Sequence, residues 1–392
     1  MGPRRRLERA AAHLQAAQPQ PQPQPAGSDS ELSLAQSLMR SSMMGPGAGA
    51  ALPTRRSPVF GTHGMVSSSQ PLATEIGLRV LKAGGNAVDA AIATAAALAV
   101  ATPAMTGLGG DMFMLFWDAE AKTVRSLNGS GRCASALTAE RVRADLGLAP
   151  EAAAFPLDQR RHVHAITTPG AAAGWADAVE AWGSGMPLAD VLAPAAALAE
   201  EGFPVSPMSA LMWAEDTPTL AQWAVGGHAS ELLIADAEAE GGLRAPAAGE
   251  VFRNPNLARV LKELGAGGKA AFYTGKATAL SCMALRALAE KRSAGSAGKA
   301  IAAAVAAEGG LLTTADLAAH KSDFDQALSV EYHGVEMWEC PPNGQGITAL
   351  VAANILRELD VAAMERGSAQ HYHTLIEAIR SVTTTLDLLK QA

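Results

Sequence analysis

The chain has 392 residues, 48% of them hydrophobic but only 4% aromatic, and a net charge of −7. That length allows one large domain or two ordinary ones, and an apolar fraction dominated by alanine predicts close-packed Ala/Gly helices rather than a core of large rings. The first 57 residues hold seven arginines and three acids, which leaves about −11 on the rest and argues against a nucleic-acid-binding main domain.

Residues 1–57 read as a disordered tail, because the Gln-Pro alternation from Gln18 to Pro25 favours extended backbone and the Ser/Met/Gly/Pro stretch that follows offers nothing to pack. The arginine cluster at the start is not followed by an apolar stretch, so no secretory signal is expected and an intracellular location is the reading. Cys133, Cys282 and Cys340 show no C-x-x-C spacing, which fits a reducing compartment without structural zinc. Ala87 to Ala101 comes nearest to a membrane span, but it carries Asp89 and reads as a buried helix.

Structure is expected from Val59. Pro71 suits a first helical turn, Leu72, Ile76, Val80 and Leu81 recur at helical spacing, and Gly84-Gly85 ends the segment. Asn86 is placed to cap the next helix, with Asp89 three residues on, and that helix stops before Pro103. Gly107-Leu-Gly-Gly110 is a turn that follows a helix and opens a strand, the reverse of a phosphate-binding loop. Met112 to Trp117 reads as a buried strand, with Thr123 to Asn128 as its hairpin partner.

Further helices are predicted after Pro169-Gly170 through Trp182, and over Leu188 to Glu201, Asn256 to Leu264, Thr314 to His320, Ile347 to Leu359 and His371 to Ser381. One strand is predicted over Ser329 to Glu339, ended by Pro341-Pro342-Asn343-Gly344. Residues 281–300, rich in Ala, Ser, Gly and Lys, look like an inserted surface segment, and 381–392 like a divergent tail. Helices outnumbering hairpin-paired strands predict an α+β fold rather than a βαβ alternation.

The pairs His162/His164 and His371/His373 have the i, i+2 spacing that would place two imidazoles on one strand face, but no acid or cysteine stands at ligand spacing beside them, so no metal is expected. Cys340 lacks an identifiable His/Asn constellation for nucleophilic work.

Several segments in order carry a resemblance: Ala83-Gly-Gly-Asn-Ala-Val-Asp-Ala-Ala91, Thr106-Gly-Leu-Gly-Gly110, Asn128-Gly-Ser-Gly-Arg132, Pro169-Gly170 leading into Gly174-Trp175, Ala199-Glu-Glu-Gly-Phe203, and Pro341-Pro-Asn-Gly-Gln-Gly346. Together, over about 58 to 380, they resemble the gamma-glutamyltransferase (glutathione hydrolase) family. The resemblance implies an N-terminal-nucleophile hydrolase, an αββα sandwich whose precursor cuts itself. A threonine then becomes the first residue of a small subunit, and its hydroxyl attacks a gamma-glutamyl amide with its own amine as base. No metal or organic cofactor is implied.

On this resemblance residues 58–380 correspond to the large-subunit portion, with the sandwich incomplete and the chain inactive by itself. Such a portion would supply scaffold and an arginine for the substrate α-carboxylate. Arg132 is the candidate, in a glycine-rich turn that could aim a guanidinium into a cleft. The common family pattern has its arginine two residues earlier, where Ser130 stands, and Cys133-Ala134 replaces Ala-Pro. Thr383-Thr384-Thr385 directly follows a helix and reads as its continuation rather than as the nucleophile. The implied partners are a gamma-glutamyl small molecule and either a small subunit or a full-length paralogue. A non-catalytic, partner-binding fragment and a related amide acylase remain as alternatives.

Overall fold

The structure is a computed structural model that describes residues 58–152, 162–222, 229–275 and 297–391. The 1–57 tail, Cys282 and most of the 281–300 segment lie outside these residues. The described residues fall into two compact units, one of residues 64–350 and one made of 58–63 with 351–391.

In the larger unit the first two helices are α1 (Pro71–Lys82) and α2 (Ala87–Ala101). Asn86 caps α2 as its sequence predicts: Oδ1 accepts from the backbone N–H of Val88 at 2.9 Å and Asp89 at 3.1 Å, while Asp89 Oδ2 accepts from the N–H of Asn86 at 2.9 Å. Asp89 Oδ2 also takes the N–H of Ser184, and Asn86 Nδ2 donates to the carbonyl of Trp182, so this cap ties α2 to a distant turn. Helix α2 is alanine on nearly every side and almost wholly buried, the packing that small side chains permit.

Strands β1 (Met112–Asp118) and β2 (Thr123–Gly129) form an antiparallel hairpin in which Phe113 pairs with Asn128 and Trp117 with Val124. The next helices are α3 (Ala139–Asp145), α4 (Ala171–Trp182) and α5 (Leu188–Glu201), followed by β3 (Phe203–Pro204) and α6 (Pro207–Gln222). Short strands β4 (Ile234–Ala235), β5 (Leu243–Arg244) and β6 (Val251–Phe252) precede α7 (Pro255–Tyr273), which is broken at Gly268, where φ is 57°. The unit continues through α8 (Ala297–Ala307), α9 (Thr314–Ala318), β7 (Leu328–Tyr332) and β8 (Val335–Glu339). Helices α1, α2, α4, α5 and α7 pack around one core that holds Ile92, Leu127, Trp175, Leu192 and Leu261.

Helix α10 (Gly346–Arg357) runs from residue 346 of the larger unit into the smaller one, where α11 (Ala369–Gln391) is the main element. In that smaller unit Ala352, Ala353, Ala378 and Val382 are buried, while Tyr372, Ile376 and Ile379 share an exposed face of α11.

The α+β expectation holds, with corrections to its parts. Strand β1 is not buried on both sides. Met112, Met114 and Phe116 face the core, whereas Phe113, Leu115 and Trp117 are 44%, 40% and 56% exposed. The single strand expected over 329–339 is a hairpin turned by His333 and Gly334, both at positive φ (49° and 83°), the geometry of a type I′ turn. Helix α7 extends past Leu264 to Tyr273, and Thr314 to His320 is helical only to Ala318. Helices α3, α6 and α8 were not foreseen. The last of these takes in residues 297–300, the end of the presumed insert. The C-terminal residues 381–391 continue α11.

Candidate functional site

At the glycine end of the β1–β2 hairpin the backbone is crowded. A Cβ on Gly131 would lie 1.5 Å from the carbonyl oxygen of Thr168, and one on Gly170 would lie 1.8 Å from that of Gly129. Only glycine permits the two segments to pass this closely. The crossing is stitched by the N–H of Thr168 to the Arg132 carbonyl at 2.9 Å, and by the N–H groups of Gly170 and Ala171 to the Gly110 carbonyl at 3.0 and 2.9 Å. Thus the Gly107–Gly110 turn, whose Gly110 N–H returns to Gly107 at 3.2 Å, serves as a structural anchor for the start of α4.

A polar cluster surrounds this crossing. Asp111 accepts the Ser130 hydroxyl at 3.0 Å and the Gly131 N–H at 2.9 Å. Asn128 Oδ1 accepts the Ser130 N–H at 3.0 Å, its Nδ2 donates to Asn343 Oδ1 at 2.8 Å, and Asn343 Nδ2 donates back to Ser130 Oγ at 3.1 Å. The Asn128-Gly-Ser-Gly-Arg132 and Pro341-Pro-Asn343 segments are therefore one piece of structure. Ser130 has no imidazole among these partners, so the cluster orients the loop and leaves the hydroxyl unactivated.

Arg132 extends from the cluster into solvent, its side chain 69% exposed, with Nη2 3.3 Å from Asp323 Oδ2. The backbone of Asp323 is fixed beside β2 by paired bonds with Asn128 of 2.8 and 2.9 Å. His320 lies behind, tilted against the Tyr273 ring with centroids 5.7 Å apart, and its buried Nε2 has no hydrogen-bond partner. Burial, reinforced by the Arg132 guanidinium, pushes the His320 imidazole below its usual range, while Asp177, Asp111 and Asp323 pull the other way. Tyr273 donates to the Pro169 carbonyl at 2.6 Å and accepts the Ala173 N–H at 3.0 Å, and burial pushes its phenol up.

Asp316 holds the stretch after Arg132. It accepts the Ser135 N–H at 2.9 Å and the Thr313 N–H and hydroxyl at 2.8 and 2.7 Å. These bonds, Ser135 foremost, keep its carboxyl well below the usual carboxylate range.

The other sequence candidates lie elsewhere. Cys340 donates its thiol to the Met114 carbonyl at 3.3 Å, and burial with Glu339 alongside pushes the thiol up, the opposite of what a nucleophile requires. His162 and His164 lie on a single 3-10 turn, not a strand, and His164 does have an acidic partner, Asp145 at 2.7 Å, from helix α3. His371 and His373 are on α11. Thr383 is a mid-helix residue of α11 whose hydroxyl returns to the Ile379 carbonyl at 3.0 Å. Among the described residues, no group of three or more His, Cys, Asp or Glu side chains is arranged to hold a metal ion, and no helix is long and apolar enough to cross a membrane. Sequence reasoning missed Asp111, Asp323, His320 and Asp316. Only Asp111 left a trace, as the residue between a Gly-rich turn and a strand.

A sequence model of one family, gamma-glutamyltranspeptidase, matches residues 73–387. The chain is 36% identical over 322 residues to the glutathione hydrolase-like YwrD proenzyme of Bacillus subtilis (strain 168), an overlap of 82% of this chain and 54% of that protein. It is 31% identical over 330 residues to the acylase ACY 1 proenzyme of Pseudomonas sp. (strain SE83), covering 83% of this chain and 53% of the relative. The gamma-glutamyltranspeptidase of Helicobacter pylori superposes with a TM-score of 0.69 at 25% identity, covering 83% of this chain and 84% of that one. The chain thus spans about half the length of the curated relatives it matches.

Proposed function

Since this chain belongs to the gamma-glutamyltranspeptidase family and has its N-terminal-nucleophile hydrolase fold, we propose that residues 58–380 act as the substrate-holding half of a hydrolase for gamma-glutamyl amides such as glutathione. In this reading Arg132 binds the α-carboxylate of the gamma-glutamyl group. The attacking threonine and the donors that stabilise the tetrahedral oxyanion come from a small-subunit segment, which also packs on the hairpin.

The observation that carries the reading is the convergence at Arg132: two family segments more than 200 positions apart lock together beneath an exposed guanidinium. The relatives named for glutathione and for acylase chemistry support an amide substrate, and an exposed arginine in a glycine-rich turn suits a free α-carboxylate. Thr383 does not suit the nucleophile role, because its hydroxyl and backbone belong to a continuous helix.

Two assays test this. The 392-residue chain alone should release no p-nitroaniline from gamma-glutamyl-p-nitroanilide, and turnover abolished by Thr383→Ala would overturn the division of labour. In a version completed with a small-subunit segment, Arg132→Ala should cut kcat/KM for gamma-glutamyl substrates about 100-fold, the scale of a lost charge-assisted contact. Unchanged kcat/KM would remove Arg132 from the site and favour an acylase that does not read the α-carboxylate.

A second reading rests on the open face of β1. Phe113, Leu115 and Trp117 form an apolar strip exposed on one side of the hairpin, the surface a second sheet or a full-length paralogue would cover. Under it the chain is a non-catalytic binding partner.

A further inference from the structure

Helices α2 and α6 are pinned to each other where the buried Ser209 hydroxyl donates to the Ala101 carbonyl at 3.0 Å. Beyond that bond the packing does not close. Pro103 and Ala104 after α2, Ile166, Trp213 and Leu220 of α6, and Leu232 of the following 3-10 turn surround a cavity of about 380 Å³. That is the small end of the range for ligand sites, about 300–1,000 Å³, and gives room for a molecule of about ten non-hydrogen atoms. Trp213, Asp216 and Leu220 recur at i, i+3 and i+7, so one face of α6 brings a ring, a carboxylate and an isobutyl group to the same wall. Trp213 is 1% exposed, and its ring is set edge-to-face against Phe252 with centroids 4.8 Å apart. Its buried indole N–H has no hydrogen-bond partner among the described residues, so packing is what holds the ring in the wall.

We propose that this cavity is a binding site for a compact apolar cation, an ammonium carried on a ring or branched alkyl body, with Asp216 taking the ammonium and the Trp213 and leucine walls taking the body. Among the described lining residues Asp216 is the one charged side chain. An anionic ligand therefore meets repulsion, and a neutral one gains only from the apolar walls. A carboxylate has about four acceptor positions, so Asp216 can receive an ammonium beside its contacts within the fold. Asp216 is only partly exposed, which reduces the screening of its charge, and the indole adds cation–π attraction for a positive group near its face. None of these residues belongs to the polar cluster around Arg132, and the proposal does not depend on that site.

Ligand-observed NMR titration of the full chain with phenethylamine, an ammonium at neutral pH, and with 2-phenylethanol, its neutral isostere, tests this. Phenethylamine should bind with a Kd of about 0.1–1 mM, the range open to so few atoms, and 2-phenylethanol at least about fivefold more weakly. Asp216→Asn should bring the two within about twofold. Ala104→Phe, which fills the cavity from the α2 side, and Thr219→Phe, which narrows it from α6, should each weaken both ligands at least about tenfold. Melting temperatures show which variants fold. Equal binding of the two ligands by the wild type, no binding of phenethylamine, or a preference kept in Asp216→Asn overturns the proposal. Undiminished binding in either filled variant that folds also overturns it, because the amine is then held elsewhere on an acidic surface.

Discussion

Asn128 and Asn343 stand 215 positions apart and meet through an amide-to-amide hydrogen bond of 2.8 Å. Each also reaches Ser130, Asn128 through its Oδ1 to the backbone N–H and Asn343 through its Nδ2 to the hydroxyl. The loop that carries Arg132 is thus held from β2 on one side and from the turn after β8 on the other.

Asn343→Ala should therefore destabilise the chain by about 1 kcal/mol, the net value of the contacts removed. The denaturation midpoint should fall with no change in the slope against denaturant. Amide exchange at Gly131 should accelerate more than exchange in α2. Uniform acceleration across both would mean that the contact stabilises the whole molecule rather than the loop.

Gly131→Ala is expected to be among the most damaging single-methyl changes here. Its Cβ would fall 1.5 Å from the Thr168 carbonyl oxygen, and backbone offers no rotamer by which to yield. The cost should be about 2 kcal/mol or more, read from thermal or urea unfolding. Gly147→Ala, in an open loop, makes a useful contrast: nothing lies within 4 Å of its Cβ, though its φ of 63° adds some strain. Equal losses at the two positions would show that the crossing is less tight than these distances imply.

Asp316→Ala removes the N3 half of the α9 capping box, leaving Thr313 as the N-cap, together with the bond to Ser135, and should cost about 1 kcal/mol near neutral pH. The Asp316 carboxyl is held below its ordinary range, so its stabilisation is complete above about pH 4 and disappears as pH falls toward the depressed value. The stability gap between wild type and variant should stay level from pH 7 to 5 and then narrow on acidification. A gap that widened in acid would contradict this assignment.

On the open hairpin face, Leu115→Glu with Trp117→Glu should reduce binding of an apolar dye and self-association while shifting the melting temperature by only a few degrees. Leu127→Ala, at a fully buried position of the same hairpin, should cost about 2–5 kcal/mol. Loss of folding in the surface variant would mean that the face is already covered by this chain.

What could be read from sequence was the local part. The Asn86–Asp89 cap is complete within four residues, so spacing alone reveals it. The β1 run Met-Phe-Met-Leu-Phe-Trp is apolar at every position, and without alternation nothing distinguishes a strand buried on two faces from one with an open side. The β7–β8 turn was missed because His333 adopts a left-handed conformation more often given to Asn or Asp. Helix α6 begins at Pro207 and contains Pro218, which disguised it. Arg132 was marked by its glycine-rich frame, but its neighbours Asp323 and His320 come from nearly 200 positions away. Contacts of that kind arise only when the chain closes, and no spacing rule encodes them.

Tyr273 carries a final implication. Helix α4 opens on Gly170, which has no side chain to cap it, and the third helical N–H, that of Ala173, is satisfied by a phenol 100 positions later. The first turn of α4 is consequently unfinished until the far end of α7 arrives. Assembly order follows: α1 and α2, with their self-sufficient cap, can form early, whereas the start of α4 and the end of α7 must mature in one cooperative step. Kinetic analysis of Tyr273→Phe should register as faster unfolding with little change in the rate of initial collapse.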